Sequence, residues 1–296
     1  MKPAIVVAGP TASGKSDLAI SIAQHINGYI VNADSRQVYK DFPISTAQPI
    51  PDKVLEDGTW ELGGVKHFLY GFKSITEKYN LYQYNKDIER VIKENDEQYP
   101  VITGGTGLYI DSYIYNYNLD VDHDSGLSRA HLQALTKEQL QTILGNEKLI
   151  NLNESDRGNP VRLIREIEKG SNFPEKRKGK MREVVYLYLD VDPIELEHRI
   201  RQRINRMFDL GLESEAKKYF DLKKQFEIPK IIGLEEFGEY FSNEATEDDV
   251  KEKIFLHTRQ YAKRQRTWFA RNKDLIKVKT FEEAIEIMDL KIGRNS

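Results

Sequence analysis

Cysteine is absent from the 296-residue sequence, which excludes disulfides and thiolate metal sites. That fits a reducing cytoplasm. Long apolar runs are missing too: no stretch approaches the roughly 20 apolar residues of a membrane span. The run at 4–8 is too short for a signal-peptide core, and no small-residue cleavage site follows it. A soluble, cytoplasmic protein with no membrane partner is expected. Histidine is scarce, six in all without metal-ligand spacing, so a transition-metal site has no support. Internal repeats and low-complexity tracts are also lacking. Neither sign of charge dominates, with 44 Lys and Arg against 47 Asp and Glu. The local distribution is uneven. Residues 257–273 carry six Lys or Arg and no acid, and 174–182 carry five against one. Acidic residues cluster just upstream, at Glu244, Glu247, Asp248, Asp249 and Glu252.

Short β-branched or aromatic runs at 4–8, 29–32, 67–70, 100–103, 184–190 and 275–278 read as buried strands. Helical periodicity falls between them, at 15–26, 82–95, 193–210 and 246–272. This alternation predicts an α/β fold: a P-loop NTPase-like parallel sheet with helices on both faces. Residues 118–183 lack strand-like runs and show helical stretches at 128–144 and 160–169, predicting an all-helical insertion. Gly170 and the basic run after it read as its return linker. The expected organisation is core 1–117, insertion 118–183, and core 184–296 ending in a basic helix.

The strongest motif is Gly9-Pro10-Thr11-Ala12-Ser13-Gly14-Lys15-Ser16, a complete GxxxxGK[ST] match between a strand and a helix. Backbone N–H groups of such a loop turn around phosphate oxygens, and the helix N-terminus adds its positive dipole end. Lys15 supplies a cation, and the Ser16 hydroxyl suits a Mg²⁺ ligand. The loop specifies a polyphosphate but no reaction: ATPase, kinase and diphosphate-leaving transferase stay open. Asp190 ends a strand, and a strand-end carboxylate explains it as well as a Walker-B acid does.

The second strand runs into Asp34-Ser35-Arg36-Gln37-Val38-Tyr39. At the carboxyl end of a parallel strand, Asp34 is expected to face the phosphate loop; taken alone, a turn or cap role is an equal alternative. The neighbours narrow the choice. GPTASGKS followed by ADSRQVY resembles the tRNA dimethylallyltransferase (tRNA isopentenyltransferase) family, and the resemblance covers nearly the whole chain. Ser45-Thr46-Ala47-Gln48-Pro49 resembles the family's GTAKP, with Ser for Gly and Gln for Lys. Gly64-Val65-Lys66-His67 resembles its GIPHH with one His missing; His67 reads as structural. Val101 to Tyr109 (VITGGTGLY) is close to its VGGTGLY, and Asn159 to Glu168 is similar to its RxxRALE helix. Arg199 to Met207 followed by Gly211-Leu212 matches RIxxRxxxM…GL. Ile232-Gly233-Leu234 stands where the family shows IGY. Thr258 to Phe269 is nearly TRxYAKRQxTWF.

The resemblance implies transfer of a dimethylallyl group from dimethylallyl diphosphate to the exocyclic amine of the adenine 3′ of the tRNA anticodon. Asp34 is then the proton acceptor, because the amine's lone pair is delocalised and a carboxylate assists attack. Thr11 touches the diphosphate, and Arg199 and Arg203, at i and i+4, share a helix face lining its channel, with Arg203 the stronger choice. Mg²⁺ on Ser16 is the implied cofactor. The resemblance places Asp34, Ser35, Arg36, Gln37 and Thr106 at the flipped-out nucleotide, with Gln37 reading a base edge. Arg162 and Arg165 of the insertion, with Lys263 and Arg264 of the basic helix, would hold RNA, and the insertion would clamp the anticodon stem-loop. For Trp268 and Phe269, core packing and base stacking stay open, as do nucleotide approach and a tight turn for Gly104 to Gly107. A monomer is expected. Three rivals are a P-loop small-molecule or nucleotide kinase, a prenyltransferase acting on free adenine nucleotides, and a nucleotide-gated RNA-binding switch. The lack of an Arg-rich lid and the basic helix stand against the first, the helical insertion and basic helix favour tRNA over the second, and Asp34 favours chemistry over the third.

Overall fold

The computed structural model describes residues 2–117, 127, 129–168 and 182–293. The chain forms two compact units, one of 1–114 with 181–296 and one of 115–180.

The first unit is built on a sheet of eight strands: β1 (Ala4–Ala8), β2 (Gly28–Asn32), β3 (Lys53–Val54), β4 (Trp60–Leu62), β5 (Val65–Phe68), β6 (Tyr99–Thr103), β7 (Val184–Leu189) and β8 (Ile276–Val278). The spatial order is β3-β4-β5-β2-β6-β1-β7-β8. From β5 to β8 every pairing is parallel; β3 and β4 are antiparallel and form one edge. The expected parallel sheet is therefore mixed. The edge pair escapes sequence periodicity because Lys53–Val54 is exposed, two residues long and carries no apolar run.

The helices are α1 (Lys15–Ile26), α2 (Leu81–Glu94) and α3 (Gly107–Ile114) in the first unit, then α4 (Arg129–Gln133), α5 (Lys137–Leu144), α6 (Asn146–Ile150), α7 (Glu154–Arg157) and α8 (Pro160–Glu168) in the second. The first unit resumes with α9 (Pro193–Asp209), α10 (Leu212–Lys223), α11 (Gly238–Phe241), α12 (Glu247–Phe269) and α13 (Phe281–Ile292). Ile5 and Val7 of β1 pack with Leu18 and Ile22 of α1 and Met288 of α13. Residues on the other side of the pleat meet different helices: Tyr186 and Tyr188 of β7 contact the Phe269 ring of α12. Helices thus cover both faces, and each fully buried aliphatic side chain contributes about 1.5–3 kcal/mol.

Helix α12 starts with a capping box between Thr246 and Asp249, and Glu247, Asp248 and Asp249 fill its first turn. The acidic stretch is thus a helix start favoured by the dipole. In the second unit, Leu132, Leu140, Leu144, Leu163, Ile164 and Ile167 form a separate small core. The helix expected at 128–144 is broken, because Thr136 caps a new helix through the Gln139 N–H. The linker expected from Gly170 lies outside the described residues apart from Arg182.

β1 sits between β6 and β7, and the chain leaves it to form β2 beyond β6. The strand order reverses beside the carboxyl end of β1, where doubly wound sheets open a crevice.

Candidate active site

That crevice is a cavity of about 520 Å³. Its polar end carries Thr11, Ala12, Gly14, Lys15 and Ser16 from the phosphate loop and Asp34 to Gln37 from the loop after β2. The turn into α1 is made by Ala12 (φ 63) and Gly14 (φ 92), both left-handed. Gly14 is the N-cap of α1 and no side chain caps it, so the first N–H groups of the helix stay open for an anion. Gly9 is glycine for a different reason: a Cβ there would stand 2.8 Å from Ser13 Oγ and 3.3 Å from the Leu189 carbonyl oxygen.

Asp34 is held by local hydrogen bonds. Its N–H donates to buried Asn32 Oδ1 at 2.8 Å, and Asn32 Nδ2 donates to the Leu69 carbonyl at 2.9 Å. Asp34 Oδ1 accepts the Arg36 N–H at 2.8 Å. Oδ2 lies against Gly105, where a Cβ would come within 2.9 Å of it. One carboxylate oxygen is therefore committed to the backbone, and the other has no hydrogen-bond partner among the described residues. Lys15 lies close enough to feel both Asp34 and Arg203. Burial pushes its ammonium down to about 8, with Asp34 opposing the shift and Arg203 adding to it.

Arg199 and Arg203 divide the work of their helix face. Arg203 lines the cavity, and its Nη1 donates to Thr11 Oγ1 at 3.0 Å. This occupies a lone pair of the Thr11 hydroxyl and leaves its proton for an acceptor in the cavity. Arg199 is not among the lining residues. It donates from Nη1 to the Ser13 carbonyl at 2.9 Å and from Nε to Glu195 Oε1 at 2.7 Å, supporting the loop from outside.

The remaining sequence candidates separate in the same way. Thr106 Oγ1 accepts the Ser35 N–H at 3.0 Å, so Thr106 and Ser35 brace each other. Arg36 Nε donates to the Lys230 carbonyl at 3.0 Å. Gln37 Nε2 donates to the carbonyls of Thr46 and Ala47, both at 2.9 Å, so its donors hold a neighbouring loop and only its Oε1 remains for a base edge. Lys263 and Arg264 are exposed and, among the described residues, in no ion pair; Arg264 also borders the cavity. Arg259 and Arg266 are committed, to Glu197 at 3.3 Å and to the Val191 carbonyl at 2.6 Å. In the second unit Arg162 pairs with Asp156 at 3.3 Å, and Arg165 is exposed on the same helix. Asp190 pairs with Lys277 at 3.0 Å, a strand-end role.

The open question of Trp268 and Phe269 resolves toward packing. Phe269 is 1% exposed, and Trp268 Nε1 donates to Asp111 Oδ2 at 2.8 Å. A Cβ on Gly107 would meet Trp268 Cδ1 at 2.2 Å. The second glycine loop is thus shaped at least in part by α12.

Sequence reasoning missed several contributors. Ile200, Ile204 and Met207 of α9, with Ile231, Ile232 and Ile254, give the cavity an apolar wall. Their α9 spacing was visible, yet such a stripe reads first as core. Glu215 accepts the N–H groups of Ile44 and Ser45 at 2.7 and 2.9 Å, anchoring the loop that Gln37 grips, and burial raises its carboxyl. No local signal marks it, because its partners lie 170 residues away.

Among the described residues no three His, Cys, Asp or Glu converge on a metal position. Ser16, exposed at the cavity edge, has no hydrogen-bond partner among the described residues. One hydroxyl suits a hard cation that arrives on phosphate oxygens and keeps several waters, as Mg²⁺ does.

Known proteins resemble the chain along most of its length. Residues 37–273 match the family model described as IPP transferase. A tRNA dimethylallyltransferase of Streptococcus pneumoniae is 34% identical over 270 residues, spanning 90% of this chain and 88% of the relative. One of Crocosphaera subtropica is 33% identical over 279 residues, with the same shares of each chain. The solved tRNA Δ(2)-isopentenylpyrophosphate transferase of Staphylococcus epidermidis superposes with a TM-score of 0.69 at 26% identity, covering 100% of both chains. A eukaryotic dimethylallyltransferase acting on tRNA gives 0.72 at 25% identity, over 98% of this chain and 78% of that one. Phosphate loop, carboxylate and apolar wall share one cavity, and the matched sequence runs from Gln37 to the end of the basic helix: the chain belongs to the IPP transferase family.

Proposed function

We propose that the chain transfers a dimethylallyl group from dimethylallyl diphosphate to the exocyclic amine of the adenine 3′-adjacent to the anticodon in tRNA, releasing diphosphate. One observation carries this beyond family membership. The cavity places a free carboxylate oxygen and a phosphate loop beside an apolar wall of Ile200, Ile204, Met207, Ile231 and Ile254. Apolar surface this close to the phosphate loop suits a five-carbon prenyl group joined directly to the diphosphate.

In the reaction the amine nitrogen attacks C1 of the prenyl group. The C1–O bond breaks, its electron pair goes to the diphosphate, and the amine proton goes to Asp34 Oδ2. The open N–H groups at the start of α1, Lys15 and the Thr11 hydroxyl meet the charge that gathers on the departing oxygens. Arg203 holds Thr11 in place and adds positive charge. Ser16 would hold Mg²⁺, which when bound neutralises diphosphate charge. Asn32 and the Arg36 N–H keep the carboxylate aimed. Lys263 and Arg264, and in the insertion Arg165, supply cations for the RNA backbone; Arg162 joins them by exchanging Asp156 for phosphate. The protein acts as a soluble cytoplasmic monomer on the anticodon stem-loop.

The test is incubation with undermodified tRNA, Mg²⁺ and labelled dimethylallyl diphosphate, followed by mapping of the label. Label on the adenine 3′ of the anticodon is expected. Label elsewhere, or phosphorylation from ATP without prenyl diphosphate, overturns the proposal.

A further inference from the structure

We infer that Gln265 is a positioning residue that keeps the diphosphate loop and the Asp34 side of the cavity in register; this rests on the reaction proposed above. Gln265 is 4% exposed on α12, and its amide bridges two loops far apart in sequence. Oε1 accepts the Thr11 N–H at 2.8 Å, and Nε2 donates to the Gly105 carbonyl at 2.9 Å. The orientation of the amide is dictated by its partners. An N–H faces one end and a carbonyl the other, so a flipped amide would set donor against donor and acceptor against acceptor.

Each end of the bridge leads to a reacting group. Thr11 carries the hydroxyl that Arg203 orients toward the cavity. Gly105 abuts Asp34 Oδ2, and the space a Cβ there would need is bounded by Gln265 Nε2 at 2.5 Å and that oxygen at 2.9 Å. The second lone pair of the Gly105 carbonyl takes the Tyr261 hydroxyl at 3.2 Å, so α12 holds this carbonyl twice. One consequence concerns the cradle itself. The Thr11 N–H is occupied by protein, so Thr11 contributes its hydroxyl, and later residues of the loop supply the amides. Among side chains of this length, glutamine alone offers one acceptor and one donor without charge. Leucine fills the space with neither, and glutamate supplies two acceptors until it is protonated.

The register matters because the transferred carbon is placed by one loop and the proton acceptor by the other. A misplacement of about 1 Å costs on the order of 10²-fold in rate. For Gln265→Leu we expect kcat to fall by about that factor, while the KM for dimethylallyl diphosphate and the tRNA affinity stay near wild type. Exchange of the Thr11 amide hydrogen should quicken by about fivefold to tenfold, the worth of one hydrogen bond. For Gln265→Glu the ratio of variant to wild-type kcat should rise as pH falls, because the protonated carboxyl again presents one donor and one acceptor. Nearby Asp34 disfavours a second carboxylate and helps that proton to bind.

Three results overturn the inference. The first is a Gln265→Leu kcat within threefold of wild type. The second is a loss confined to KM, which makes Gln265 a binding group. The third is a loss equal to the unfolded fraction read from a melting curve, with a Gln265→Glu ratio flat in pH, which makes it a packing residue. A wild-type chain that transfers nothing sinks the transferase proposal instead, and the Thr11 amide exchange still judges the bridge.

Discussion

The loop at 9–16 and the loop at 104–107 both follow a parallel strand, both precede a helix and both depend on glycine. In the first, Ala12 and Gly14 take positive φ and a Cβ on Gly14 would meet nothing closer than 3.8 Å. At Gly14 the constraint is conformation, and the space is left for a ligand; only Gly9, at the start of the loop, is held by close approach of protein. In the second, no glycine has positive φ, yet a Cβ on Gly104 would stand 2.2 Å from the Ala33 carbonyl carbon and one on Gly107 2.2 Å from Trp268. The constraint there is the close approach of protein. Similar composition thus serves two ends: the first loop is shaped to receive an anion, the second to let the Asp34 loop and α12 close on it.

Four measurements test this contrast. The largest effect belongs where the second loop meets the chemistry. Asp34→Asn should lower the single-turnover rate by about 10²–10⁴, with tRNA and diphosphate affinities little changed. A normal rate would remove Asp34 from the reaction and leave the second loop a purely structural element.

Next come the glycines. Gly104→Ala forces a methyl group into backbone that cannot yield, and should cost about 1–3 kcal/mol or more. Gly14→Ala should cost about 1–2 kcal/mol, from left-handed strain alone. Denaturant melts of the two variants check the order; equal costs would erase the difference in cause.

The third outcome is a pH effect on the first loop. Lys15 is lowered by burial to about 8 in the folded protein, below its ordinary 10.5. Diphosphate prefers the ammonium form, so affinity should fall as pH rises through about 8, toward a limit of about tenfold per pH unit. The stability of the ligand-free protein moves oppositely. Its penalty for burying that charge is full below about 8 and is relieved as pH rises toward 10.5. Titration calorimetry between pH 7 and 10 reads the first effect; Lys15→Ala should abolish the pH dependence and weaken binding severely.

The smallest effect lies outside both loops. Lys263→Ala with Arg264→Ala should weaken tRNA binding and flatten its salt slope by up to about two units, near one per lost phosphate contact. Affinity for dimethylallyl diphosphate should hold. An unchanged slope would mean that these cations do not meet RNA phosphates.

Much of the site was readable along the chain because its parts are local. The phosphate loop announces itself through spacing and its strand–loop–helix setting, and Asp34 through its place after the second strand. Other features were hidden for physical reasons. The β3–β4 edge is short and half exposed, so no periodicity marks it. Arg199 and Arg203 look equivalent at i and i+4, and only their partners, Ser13 and Thr11, separate them. Arg259 and Arg266 look as available for RNA as Lys263 and Arg264, until Glu197 and the Val191 carbonyl occupy them.

By itself the sequence determined the α/β class, the order of the motifs and the residues able to carry phosphate and proton chemistry, since these follow from local spacing and side-chain type. Tertiary structure alone decided which of them act together. Thr11, Gly105 and Gln265 are joined across 254 and 160 residues by a single side-chain amide. A hydrogen bond depends on distance and direction in space, and no pattern along the chain encodes either until the sheet and α12 have packed.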